Sequence, residues 1–157
     1  ELYVSSPLWL AFYDHGGPLP ISDLPFWRPS DSWFGPNTMV GELCYSKYTE
    51  AKVTLDNIQK RSHRAITTIS ISNEHDELLA IERISLPTPF LNLYVDATHQ
   101  FWTDKVNLIH HLDGDRPSFE IKNLTKESTK TDLTLISAAR EVADANTFMR
   151  SIKSLVA

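Results

Sequence analysis

The chain has 157 residues, 41% of them hydrophobic and 22% charged, with a formal net charge of −5. That size and mix suit one soluble globular unit with a real core and exclude a disordered or low-complexity chain. The acidic balance excludes a broad phosphate-binding face, so no nucleic-acid partner is expected, and the densest basic run, "KRSHR" at 60–64, reads as a solvated loop.

In chain order, "LYV" and "LWLAFY" (8–13) are β-prone, and the second is apolar on both faces, as in an interior strand. "DHGGP" turns the chain. Residues 18–36 then hold five of the nine prolines and two of the four tryptophans, which predicts an extended loop or edge segment pinned by aromatic anchors. Residues 39–55 predict one long, bulged strand, and 57–64 a polar connection. "AITTISIS" (65–72) and "LLAIERISL" (78–86) flank "NEHDE" and read as a hairpin. Strand patterns follow at 90–95, at 101–112 after the turn "DATHQ", and at 118–124. Strands at this spacing without intervening helices predict a mainly β fold, an antiparallel β-sandwich or open barrel, over residues 1–124.

A polar linker is expected at 125–131, followed by a different pattern. Leu135, Ala138, Val142, Ala145, Met149, Ile152 and Val156 recur at alternating intervals of three and four. That spacing predicts a long C-terminal amphipathic helix over 132–157, with Asp132 at its start and Arg150 and Lys153 near its negative end. Its period suits a seam with a second helix, so Leu135, Val142, Met149, Ile152 and Val156 are the expected oligomerisation residues, with Phe148 and Leu155 broadening the stripe.

Chemistry is sought first in "NLIHHLDGDRPSF" (107–119). His110 and His111 are strand neighbours and should point to opposite faces, so they cannot share one metal without a bulge. Asp113, Gly114 and Asp115 make a turn, not a calcium loop, because the oxygen ligands such a loop needs at alternate positions are missing. Asp14 beside His15, Cys44 with His63 or His75, and the dispersed His75, His99 and His110 carry no ligand or nucleophile spacing. No metal, no cofactor and no catalytic set is therefore expected. The most suggestive surface is an aromatic platform of Phe26, Trp27, Arg28, Trp33 and Phe34, which suits a sugar or small molecule, against the alternative that these rings plug the end of the sandwich.

A single cysteine excludes a disulfide within the chain and points to a reducing, cytoplasmic setting. No apolar run is long enough to insert in a membrane. The chain opens on Glu1 and enters a strand pattern at once, which suggests a piece of a longer protein.

"GELCYS" (41–46), "PLWLAFYDH" (7–15) and "ERISLPTPFLNLYVDATHQFWTDKVNL" (82–108), with Arg83-Ile84, Leu93-Tyr94, Trp102-Thr103 and Val106, carry a resemblance over residues 1–124. The chain resembles the archaeal and bacterial domain of unknown function family 432, with Ser85 where that pattern has cysteine. The resemblance implies a β-rich fold and no activity. Taken together, the residues lead to the expectation of a non-enzymatic binding or interaction module, associating with itself through the helix or with a protein partner. The alternative is a small-molecule or carbohydrate-binding domain using Trp27 and Trp33.

Overall fold

The structure, a computed structural model, describes residues 1–24, 33–34, 42–46, 51–79, 83–86, 88–112, 118–125 and 131–142. It is mainly β. The strands are β1 (Leu2–Asp14), β2 (Gly17–Leu24), β3 (Trp33–Phe34), β4 (Glu42–Ser46), β5 (Arg64–Asn73), β6 (Arg83–Leu86), β7 (Leu93–Asp96), β8 (Phe101–Thr103), β9 (Lys105–His110), β10 (Ser118–Lys122) and β11 (Leu133–Ser137). Eight of them form one curled, half-barrel sheet, and β3, β4 and β6 form a second, three-stranded sheet.

β5 is the hub. Its run of β-branched residues suits a strand lined on both faces, and Ala65, Ile66, Thr67 and Ile69 are all buried. One edge pairs antiparallel with Leu2–Pro7 of β1, while the other runs parallel to β8 and then β9. The sheet, expected to be mainly antiparallel, is thus mixed, with parallel ladders where β5 meets β8 and β9. The expected hairpin between 65–72 and 78–86 is also absent, because β6 pairs with β4 in the second sheet. Parallel neighbours need a long crossover, and residues 74–100 supply it by way of that sheet.

β8 and β9 are one strand interrupted at Asp104. Ile66 pairs with Trp102, an offset of 36, whereas Ile69 pairs with Val106, an offset of 37. The extra residue is a bulge, and it reverses which side chains face which side. Trp102 therefore joins Ile66 and Ile58 in a core on one face, with Tyr3, Leu55, Tyr94, Leu124 and Leu133 packed around it. Val106 and Leu108 join Val4, Ile69, Leu91 and Phe119 on the other face, where β6 inserts the fully buried Leu86. Without the bulge, one of the two cores would lose its central side chains to the wrong side.

Among the described residues the C-terminal helix expected over 132–157 is not found, and residues 143–157 lie outside them. Residues 133–137, inside the expected helix, form β11, which pairs antiparallel with β7 from Leu133↔Asp96 to Ser137↔Leu93. Among the described residues the only helical elements are two short 3-10 turns, Leu55–Asn57 and Thr88–Phe90. The physical reason lies in "LTLI". Alternate leucines and the β-branched Thr134 and Ile136 suit an edge strand, and the free edge of β7 gives that strand a ladder of hydrogen bonds that a lone helix would lack. Beyond the strand, the N–H groups of Arg140 and Glu141 donate to the Pro89 carbonyl. No helix among the described residues is long and apolar enough to cross a membrane.

Candidate functional site

Most of the residues singled out from sequence lie outside the described residues. Phe26, Trp27 and Arg28 lie outside the described residues, and Trp33 and Phe34 form β3, opposite Leu43 and Glu42. Of the expected oligomerisation residues, Leu135 is a half-exposed strand residue and Val142 is almost fully exposed, so they form no helical seam; Met149, Ile152 and Val156 lie outside the described residues. Cys44 sits in β4 opposite Ser85. Asp113, Gly114 and Asp115 also fall outside the described residues, although the strands flanking them, β9 and β10, do pair antiparallel.

Two buried carboxylates organise the edge between β7 and β8. Asp104, with no exposed surface, accepts from the backbone N–H and side-chain amide of Asn92 at Oδ2 (2.8 and 2.7 Å). At Oδ1 it accepts from the Tyr94 hydroxyl (2.9 Å) and the Leu124 N–H (3.1 Å). Burial, and then the bond to Asp104, push the Tyr94 phenol up to about 12. Asp96 closes the turn "DATHQ": its Oδ1 accepts from the N–H and hydroxyl of Thr98 and from the Gln100 N–H, and its Oδ2 from the Trp102 indole (2.9 Å). Burial alone would raise the Asp96 pKa, but the hydroxyl, indole and backbone donors outweigh it, and the net direction is down. Those bonds also hold His99 at φ 61°, a left-handed conformation unusual for its type. Every carboxylate oxygen here already serves the fold, so this pair is structural.

At the far end of β5, beside the end of β9, a polar corner forms. The Asn73 amide donates to the Glu77 carbonyl, which fixes its orientation and turns Oδ1 toward the His75 N–H and the His110 ring, Nδ1 at 2.9 Å. In its neutral form His110 therefore carries its proton on Nδ1. His75 is the opposite tautomer, since its Nδ1 accepts from the Glu77 N–H and its proton must sit on Nε2. The two rings stand 5.8 Å apart. Because a backbone donor occupies the His75 Nδ1 and its Nε2 is protonated, His75 is not arranged as a metal ligand. Among the described residues no three His, Cys, Asp or Glu side chains are placed to hold a metal ion. His99, on the turn before β8, lies at the opposite end of these strands.

His111 completes the corner. Its Nδ1 lies 3.1 Å from Glu74 Oε2 and its Nε2 2.8 Å from Ser118 Oγ. A carboxylate only accepts, so Nδ1 donates, and in the neutral ring Nε2 accepts the Ser118 proton. The order is hydroxyl, imidazole, carboxylate. Sequence reading missed it because Glu74 lies just past the end of β5 and Ser118 opens β10, and only the parallel register of β5 with β9 and the pairing of Ser118 with Ile109 bring them to His111.

A third feature is apolar. Beyond Pro7, β1 leaves β5 and pairs with β2 in an arm whose tip is the Asp14–Gly17 turn, with Gly17 at φ 109°. Along the arm Leu10, Phe12, Tyr13, Leu19 and Ile21 are each more than half exposed. Phe12 and Leu19 face each other across the ladder, and the register shift after Leu10 leaves Ile21 as the extra residue of a bulge.

A family model described as "Protein of unknown function (DUF432)" matches residues 1–155, and so extends past residue 124, where the resemblance read from sequence ends. No curated protein and no solved structure matches the chain.

Proposed function

We propose, from the premise that the chain belongs to the DUF432 family of unknown function, that it is an interaction module which associates with a second copy of itself through the β1–β2 arm. The exposed apolar stripe of that arm carries the reading. Leu10, Phe12 and Leu19 share one face of the arm, with Ile21 at the bulge beside them, and together present on the order of 400 Å² of apolar surface, within the range of the largest patch on a monomer, while Tyr13 lies on the opposite face. Two such arms bury about 800 Å² between them, the size of a weak, transient interface. The partner's chemistry follows from charge. Residues 8–13 and 17–22 carry none, so two arms can meet without the repulsion that a chain of net charge −5 would otherwise meet. The single cysteine, Cys44, supports a cytoplasmic setting for this association.

Light scattering across a concentration series tests the reading. The chain should be dimeric at about 0.1 mM, equivalent to roughly −5.5 kcal/mol of association free energy. Phe12→Thr with Leu19→Lys should make it monomeric with little change in melting temperature, because both side chains already face water and the new pair carries a single charge. A monomeric parent at that concentration, or a dimer insensitive to the double substitution, would remove the arm from consideration.

A further inference from the structure

We infer that Ser118, His111 and Glu74 form a nucleophilic site able to accept an acyl group from a small ester. Three observations bear on it. The bonding order is the one a nucleophile needs, since the hydroxyl lies 2.8 Å from Nε2 while the other ring nitrogen is anchored on a carboxylate at 3.1 Å. The tautomer is forced rather than chosen, because Glu74 can only accept. The corner is also open to solvent: the His111 side chain is 38% exposed and that of Glu74 51%, while Ser118, first residue of β10, is half-buried. An ester can therefore reach Oγ without any movement of the sheet.

The step balances. Ser118 Oγ attacks the acyl carbonyl as its proton passes to His111 Nε2, and the tetrahedral adduct collapses by breaking the ester C–O bond. His111 returns that proton to the departing alcohol. Water, losing a proton to His111, then attacks the acyl-serine, releasing the carboxylic acid and restoring the hydroxyl. Glu74 keeps the ring in its productive tautomer and stabilises the imidazolium formed in each half. As a positioning residue it never meets the substrate.

The nearby histidines do not replace this function. The Nδ1 atoms of His75 and His110 are held by Glu77 and Asn73, and neither ring has a serine or cysteine partner among the bonds described. His111 differs from both in bridging a carboxylate and a hydroxyl from segments that only the fold brings together.

The test uses the full chain and a small fluorophosphonate, which phosphonylates activated serines. The expected result is a single adduct by intact mass, mapped by peptide sequencing to Ser118 and abolished by Ser118→Ala. His111→Ala should slow labelling at least 100-fold, within the range that general-base assistance supplies, and Glu74→Gln, which only positions the ring, roughly tenfold. Glu74→Asp, which keeps the carboxylate, should retain more of the labelling rate than Glu74→Gln, an ordering that a purely structural side chain would not give. Circular dichroism on each variant separates loss of reactivity from loss of fold. If a folded His111→Asn variant labels as fast as the parent, if other serines label equally, or if no adduct forms, Ser118 is an ordinary surface hydroxyl and the inference fails.

Discussion

Removing the Asp104 carboxylate should destabilise the chain more than any surface change, and the size can be worked from its four bonds. In Asp104→Ala the two Asn92 donors, the Tyr94 hydroxyl and the Leu124 N–H all lose their acceptor. A fully buried orphan donor costs about 1–3 kcal/mol, but these are only part-buried, so about 1 kcal/mol each and 4 kcal/mol in total is the fair figure. Asp104→Asn is milder. Its one carbonyl oxygen still serves one pair of donors, and the hydroxyl of Tyr94 can turn round to accept from the new amide. The Leu124 N–H cannot, so one bond is lost and the cost is about 1–2 kcal/mol. At roughly 2–4 °C per kcal/mol for a domain this size, thermal unfolding by circular dichroism should show falls of about 8–16 °C and 2–8 °C respectively. A fall in Asp104→Ala no larger than in Asp104→Asn would mean that water replaces the carboxylate, and the bulge would then not depend on it.

Other perturbations follow from the same bonds. Asp96, whose folded pKa lies below its unfolded value, contributes stability that is present above about pH 4 and lost as the pH falls through the folded value. Urea midpoints measured between pH 6 and 2 should therefore fall less steeply in Asp96→Asn than in the parent. His110→Ala and His111→Ala should each cost less than about 1 kcal/mol in the same assay, because both side chains are half-exposed and their partners can turn to water. A loss above about 2 kcal/mol for either would show a packing role not visible in its surroundings.

Much of the strand inventory can be read from local pattern. β5, β7 and β10 fall where apolar alternation and turn residues place them, since both signals are carried by neighbours in sequence. Pairing is another matter. Nothing in "AITTISIS" distinguishes an antiparallel hairpin with 78–86 from a parallel partner beyond residue 100, and the choice is made by which surfaces can be buried together. β11 reads as helix because Leu135, Ala138 and Val142, three and four apart, fit a helical stripe, while Leu133 and Leu135, two apart, fit a strand, and the vacant edge of β7 decides between them. A clue to the bulge was present: Asp104 falls in phase with Trp102, Val106 and Leu108, where a charge has no place in an uninterrupted apolar stripe. At the corner, His110 and His111 stood out at once. Their roles depend on Asn73, Glu74 and Ser118, which no spacing rule connects to them.

The position of β5 has a kinetic side. Its first partner, β1, lies some sixty residues earlier in the chain, and its second, β8 with β9, begins almost thirty residues later. As the chain emerges during synthesis, Leu2–Pro7 must wait for Arg64–Ile69, and the parallel edge must wait again while the excursion through β6 is made. Loop closures of that length slow the search without rewarding it until the last strand docks, so refolding belongs to the slow, high-contact-order class. During that wait the apolar residues of both cores are uncovered together, which makes dilute conditions and early engagement of β5 the factors that separate productive refolding from aggregation.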